Sequence, residues 1–248
     1  MPVGHISCVL SGMRIAAVGD LHFGKSSAGT LQPLLSQIAT SAEVLVLAGD
    51  LTDYGHPDEA RSLVKDLTAF VRIPIVTVLG NHDFESGSEQ EIRQILVDAG
   101  VCVLDGDSCE IQGVGFAGVK GFAGGFGRGA LGPWGEQIIK LFVHEAVNEA
   151  LKLESALARL RTEKKIVVLH YSPIEATVQG EPREIFPYLG CSRLEEPLGR
   201  YEVTAVVHGH AHNGSPEGRT STNIPVYNVS LPLLRKSSPD APFRILNI

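Results

Sequence analysis

The chain has 248 residues, 44% hydrophobic and 20% charged, with a formal net charge of −7. That length and balance fit an ordinary globular chain able to bury a sizeable core, and they exclude disordered, collagen-like and disulfide-scaffold classes. No Lys and Arg stripe is present to meet a polyanion such as duplex DNA, which disfavours a nucleic-acid partner.

Cys8, Cys102, Cys109 and Cys191 are scattered without a Cys-x-x-Cys pair, and read as reduced core residues. The first twelve residues lack a basic stretch followed by a long apolar one, and no uncharged apolar run reaches about 18 residues. The expected location is therefore the cytoplasm, with no membrane contact.

The first predicted strand, Arg14 to Gly19, ends on Asp20-Leu21-His22. A helix is expected near Thr30 to Thr40, followed by an apolar strand, Val44 to Ala48, that ends on Gly49-Asp50. Pro57-Asp58-Glu59 opens a second helix running to about Val71, with acids at the positive end of its dipole. The strand Ile75 to Leu79 delivers Gly80-Asn81-His82-Asp83, and Ser88-x-x-Glu91 forms a capping box for a helix ending at Gly100.

Short strands are expected from Val101 to Val119, with Asp105-Gly106 as the hairpin turn. Ten of the 27 glycines fall between Gly113 and Gly135, where the backbone must be mobile or tightly turned. Gly113, Gly115 and Gly118 spell G-x-G-x-x-G, but the glycines that follow cannot start the helix that a dinucleotide fingerprint needs. A strand and turn, then a loop to Gly135 lying over the functional site, is the better reading, with Lys120 or Arg128 as candidate phosphate contacts.

A long amphipathic helix, roughly Glu136 to Thr162, carries Ile138, Leu141, Phe142, Ala146, Ala150, Leu153, Leu157 and Leu160 along one stripe. The strand Ile166 to Leu169 ends on His170, and the strand Val203 to Val207 runs into His208-Gly209-His210-Ala211-His212. Strands over Pro225 to Val229 and Phe243 to Ile248 complete the pattern. One domain over 1–248 is the simplest reading, with the glycine-rich loop and long helix, about 113–162, inserted between two halves that carry the polar strand ends.

Five strand ends thus present Asp20-x-His22, Asp50, Asn81-His82-Asp83, His170 and His210-x-His212. Ligands of open α/β sheets gather beyond the carboxyl ends of strands, so these ends can converge. A mixed set of carboxylate, amide and imidazole favours first-row metals over an all-oxygen calcium or magnesium cage. Seven ligands exceed one tetrahedral zinc and fit two metals sharing a carboxylate.

In this order, D-x-H, G-D, G-N-H-D, H and G-H-x-H resemble the calcineurin-like metallophosphoesterase superfamily over Asp20 to His212. The resemblance implies an α/β fold, a four-layer α-β-β-α sandwich with a dinuclear metal site at the strand C-terminal edge. One metal would take Asp20, His22, Asp50 and His212, and the other Asp50, Asn81, His170 and His210. It further implies a metal-bridging hydroxide for in-line attack, His82 as a catalytic non-ligand, and Asp83 as the group orienting its ring.

Within the superfamily, Gly49 to Gly55 reads GDLTDYG, with Tyr54 where protein phosphatases carry a phosphate-gripping Arg, and Asp53 where purple acid phosphatases need a tyrosinate. The match is better to small bacterial-type phosphodiesterases, including the cyclic-nucleotide branch. The expected function is metal-dependent hydrolysis of a small phosphoester, a diester first, using manganese or iron, with zinc, nickel and cobalt as alternatives. A phosphomonoesterase, a nuclease and a non-catalytic scaffold are the competing readings, and the oligomeric state is open.

Overall fold

The computed structural model describes residues 12–248, and Cys8 lies outside them. Eleven strands and seven α-helices are found among the described residues. In chain order they are β1 (Arg14–Val18), α1 (Gln32–Ser41), β2 (Val44–Ala48), α2 (Pro57–Phe70), β3 (Ile75–Val78), α3 (Glu89–Asp98), β4 (Cys102–Val103), β5 (Asp107–Ile111) and β6 (Val114–Val119). Then follow α4 (Gln137–Arg159), β7 (Lys164–Leu169), α5 (Phe186–Leu189), α6 (Glu195–Leu198), β8 (Ala205–His208), β9 (Glu217–Arg219), β10 (Pro225–Asn228), α7 (Leu231–Ser237) and β11 (Arg244–Asn247).

Two sheets form, one ordered β11-β1-β2-β3-β4 and the other β5-β6-β7-β8-β10-β9. β1 to β4 are mutually parallel, as are β6, β7, β8 and β10, and the outer strands β11, β5 and β9 run antiparallel. Covering both faces of a parallel strand demands an unbroken apolar run. β2, VLVLA, is buried at every position for that reason.

Alternation sorts the second sheet between two cores. Phe116, Ile166, Val168 and Val207 face the first sheet, in a cluster that also holds Leu45, Val46, Leu63 and Ile92. Ala117, Val167, Leu169 and Val206 face the other way, onto Leu153, Ala156 and Leu157 of α4. Helices α1 to α3, two sheets and α4 therefore make the four-layer α-β-β-α order that the family resemblance implies.

Three local expectations change. Asp105-Gly106 carries the chain from β4 in one sheet to β5 in the other, and the hairpin turn is Gln112-Gly113. Both turn residues have φ > 0, at 49° and 83°, the requirement of a type I′ turn. As expected, the first part of the glycine-dense stretch is strand, β6, and the loop begins at about residue 120. Ser88 makes no side-chain cap, and the Glu91 carboxylate that would complete the box accepts from Arg61 at 2.6 Å.

The third change lies at the start of α4. Ile138 and Leu141, placed on the apolar stripe, are 70% and 54% exposed. The buried face begins only at Val143 and continues through Ala146, Leu153, Ala156 and Leu157. No helix among the described residues is long and apolar enough to cross a membrane.

Truncation separates the two parts of α4. Leu153→Ala is expected to cost about 2–5 kcal/mol, and Leu141→Ala to stay within about 0.5 kcal/mol. Urea unfolding of both variants checks this, and equal losses would place Leu141 in a core.

Candidate metal centre

All five polar strand ends meet at one edge, where the carboxyl ends of β1, β2, β3, β7 and β8 lie side by side. The chain turns sharply there. Asp20, His22, Asp50 and His210 take φ of 56°, 45°, 48° and 69°, four of the seven non-glycine residues with positive φ among those described. Such backbone costs about 1–3 kcal/mol per residue and persists only where surrounding bonds enforce it.

Those bonds are present. Asp20 N–H donates to the Gly49 carbonyl at 2.9 Å and His22 N–H to the Asp50 carbonyl at 3.0 Å. The Asp20 carboxylate accepts the His210 N–H at 3.0 Å, and His212 Nε2 lies 3.0 Å from the same group. His170 Nδ1 donates to the Ala48 carbonyl at 2.9 Å, leaving Nε2 2.9 Å from Asn81 Oδ1 and 3.3 Å from Asp50 Oδ1.

Close packing explains two of the glycines. A Cβ on Gly80 would sit 2.2 Å from Asp50 Oδ1, and one on Gly209 would sit 2.4 Å from Asp20 Oδ2. Any side chain at either position would displace a carboxylate. Neither glycine has a positive φ, so here the demand is for room.

Three overlapping triads follow: Asp20, His22 and His212; His22, Asp50 and His82; Asp50, His170 and His210. Within each, donor atoms lie within 4.8 Å of one another, a spacing at which the residues could hold a cation. His22 and Asp50 each belong to two triads. Asn81 completes the cluster through its contact with His170.

Buried charge must be paired or bound to metal. Asp20 and Asp50 are 2% and 1% exposed, and among the described residues their ion-pair partners are imidazoles, with no Lys or Arg. That donor set fits first-row cations.

The same surroundings pull the titrations apart. Burial opposes ionisation of Asp50, but the His170 charge and hydrogen bonds from His170 and the His82 N–H outweigh it and hold the carboxyl well below its usual range. Burial likewise works against a charge on His170, yet Asp50 and its hydrogen bond push that imidazole up to about 9. The hydrogen bond to Asp20 raises His212, whereas burial, reinforced by His170, lowers His210 to about 4.

His82 and Asp83 depart from the expected pair. His82 Nδ1 lies 2.6 Å from the Asp53 carbonyl, which therefore sets the ring's orientation. Asp83 is fully buried and accepts from the N–H groups of Leu51 (3.2 Å), Thr52 (2.8 Å) and Gly80 (2.8 Å) and from the Thr52 hydroxyl (2.6 Å). It clamps the turn after β3 onto the turn after β2, and with all its acceptors engaged it does not reach His82. The sequence pattern missed Asp53 because a backbone carbonyl leaves no residue signature.

His208 is a core residue. Nδ1 is 2.7 Å from the Gly209 carbonyl and Nε2 2.8 Å from Thr177 Oγ1. Asn228, also missed, holds the histidine loop by donating to the Ala211 carbonyl at 2.7 Å. Lys120 is caged: its Nζ donates to the Gly121 carbonyl and lies about 5 Å over the rings of Phe84, Phe122 and Tyr171.

A profile of the calcineurin-like phosphoesterase family matches residues 13–214. The chain belongs to that family. A Rhodococcus erythropolis protein named "Probable cyclic nucleotide phosphodiesterase" is 33% identical to this phosphoesterase-family chain over 88 residues, covering 33% of it and 29% of the relative. The match thus spans less than a third of that relative's length.

The phosphopantetheinyl hydrolase of Mycobacterium tuberculosis superposes with a TM-score of 0.69 at 18% identity, covering 95% of this chain and 96% of the other. A Thermus thermophilus protein gives 0.55 at 14% identity, covering 95% and 99%. At these identities the likeness speaks for the fold.

Two measurements test the local accounts. Asp83→Ala orphans three buried N–H groups and should cost at least about 2 kcal/mol in urea unfolding; an unchanged midpoint would remove the clamp. Burial lowers His208 to about 4, so as pH falls below 6.5 the unfolded chain binds the proton first. Its contribution, on the order of 3 kcal/mol, is intact above pH 6.5 and lost towards pH 4. His208→Gln should flatten that acid limb of stability against pH, and an identical limb would refute the assignment.

Proposed function

We propose that this chain is a metal-dependent hydrolase of small phosphodiesters, acting as one domain over 1–248. The convergence of two buried carboxylates, an amide and a set of imidazoles at one sheet edge, in a phosphoesterase-family chain, is the observation that carries this reading. A core cluster continuous across both sheets supports the single domain. Preference for a diester draws on the Rhodococcus relative's name.

In this reading Asp20, His22, Asp50 and His212 hold one cation, and Asp50, Asn81, His170 and His210 hold a second. Asp50 would be shared by both, in keeping with its position between His22 Nε2 at 3.8 Å from Oδ2 and His170 Nε2 at 3.3 Å from Oδ1. Manganese and iron are the first choices, with zinc, nickel and cobalt as alternatives. Two cations bound there would supply Lewis acidity, lowering the pKa of water and neutralising phosphoryl oxygens.

The chain's own residues do the rest. His170 Nδ1 is committed to Ala48 and His210 Nε2 to the Tyr188 carbonyl at 3.1 Å, so each imidazole keeps its other nitrogen for the centre. With Nδ1 held by Asp53, His82 presents Nε2 as the position that delivers a proton to the departing alkoxide. Asp83 serves as a positioning residue, fixing the loop that carries Asn81 and His82. A small substrate, in keeping with the net charge of −7, and a cytoplasmic setting belong to the same proposal.

Metal-reconstituted protein is expected to hydrolyse bis-p-nitrophenyl phosphate in preference to p-nitrophenyl phosphate. Asp50→Asn should lose metal and turnover together, and retention of two tightly bound ions would remove the bridge. His82→Ala should keep its metals while kcat on poor leaving groups falls by about 10²–10⁴. Monoester preference would redirect the assignment to a phosphatase, and two bound ions without turnover would favour a scaffold.

A further inference from the structure

A cleft of about 430 Å³ lies between the glycine-rich segment and residues 175–187, lined by Phe126, Arg128, Glu175, Arg183, Phe186 and Pro187. That volume is within the range of small-molecule sites. Backbone bonds fasten its walls together. Gly124 N–H donates to the Pro187 carbonyl at 2.7 Å, Gly125 N–H to the Gly190 carbonyl at 2.9 Å, and Gly127 N–H to Ser192 Oγ at 3.2 Å.

A hydrogen bond ties the chain that forms one wall of the cleft to the metal centre. One residue beyond Pro187, the Tyr188 carbonyl accepts from His210, so the wall that carries Phe186 and Pro187 runs directly into a site residue. Phe126 and Phe186 give it apolar surface, and Arg128 and Arg183 stand exposed at its rim. Whereas Arg61, Arg93, Arg200 and Arg244 are ion-paired, these two have no carboxylate within salt-bridge reach among the described residues. Glu175 also lines the cleft, where its carboxylate accepts from Gln179 Nε2 at 3.0 Å.

We propose that this cleft receives the alcohol portion of the substrate, and that Arg128 and Arg183 hold a second anionic group on it. The assignment rests on the phosphodiesterase reading and adds a substrate class: diesters whose alcohol ends in a carboxylate or a further phosphate. Paired guanidinium forks match either group bidentately. On a chain of net charge −7, two arginines without carboxylate partners lining one cleft give an anion a local foothold. The caged amine of Lys120 is already engaged, so of the two cations singled out in the sequence, Arg128 takes this role and Arg183 joins it.

The test uses p-nitrophenyl phosphodiesters of matched alcohols: n-alkyl, ω-carboxyalkyl and ω-phosphonoalkyl, over several chain lengths. Wild type is expected to favour a charged ester over its neutral twin by about 10- to 100-fold in kcat/KM. The double variant Arg128→Gln, Arg183→Gln should erase that preference through KM. Arg72→Gln, at the opposite edge of the sheets, should keep it. Carboxylate and phosphonate arms rank the two anion types.

Equal rates on charged and neutral esters in wild type, or a preference that survives the double variant, would overturn the cleft assignment. Should wild type turn over none of the esters, the phosphodiesterase reading falls, and calorimetric titration of the same compounds still decides the cleft. Tighter binding of the charged compounds, lost in the double variant, supports the site, and equal binding overturns it.

Discussion

Two hydrogen bonds across the seam between the sheets hold the rest of the site in place. His170, at the end of β7, reaches the Ala48 carbonyl at the end of β2, and the backbone of His210, after β8, reaches the Asp20 carboxylate after β1. Each bond joins the first sheet to the second. The centre is therefore built on the relative placement of two sheets, and it depends on the inter-sheet core of Phe116, Ile166, Val168 and Val46 as well as on the polar residues. Without that packing, the donor atoms have no reason to lie within one cluster.

Much of this arrangement was legible in the sequence, because apolar runs that break into Asp, Asn or His carry two signals at once. The run marks a buried strand, and the polar break marks where it leaves the core. Val44 to Ala48 followed by Gly49-Asp50 is the clearest example. Backbone roles were not legible. Asp83 has the residue type expected beside a catalytic histidine, yet its carboxylate serves three N–H groups and a hydroxyl, while the Asp53 carbonyl takes the ring. Any residue could present that carbonyl, so no pattern of side chains announces it.

Short elements and helix ends were obscured for a related reason. α5 and α6 span four residues each, too few to establish a period. The stripe on α4 is correct in phase but not in extent, because Ile138 and Leu141 precede the point at which the helix meets the second sheet. Asp105-Gly106 has the preferred hairpin composition, but the chain uses it to change sheets. Composition there matched the local backbone need and said nothing about which strands are joined.

The arrangement also bears on the order in which the molecule can be made. Asp20 is contacted by His210 and His212, and the Gly19 N–H donates to the Val229 carbonyl. During synthesis the first of the polar turns thus waits for partners roughly 190 to 210 residues downstream. Until those have left the ribosome, Asp20 and Asp50 lack their partners from the second sheet and the strained turns lack their restraints. Any cation held earlier would be held by an incomplete shell, and full-strength loading becomes a late event in the life of the nascent chain.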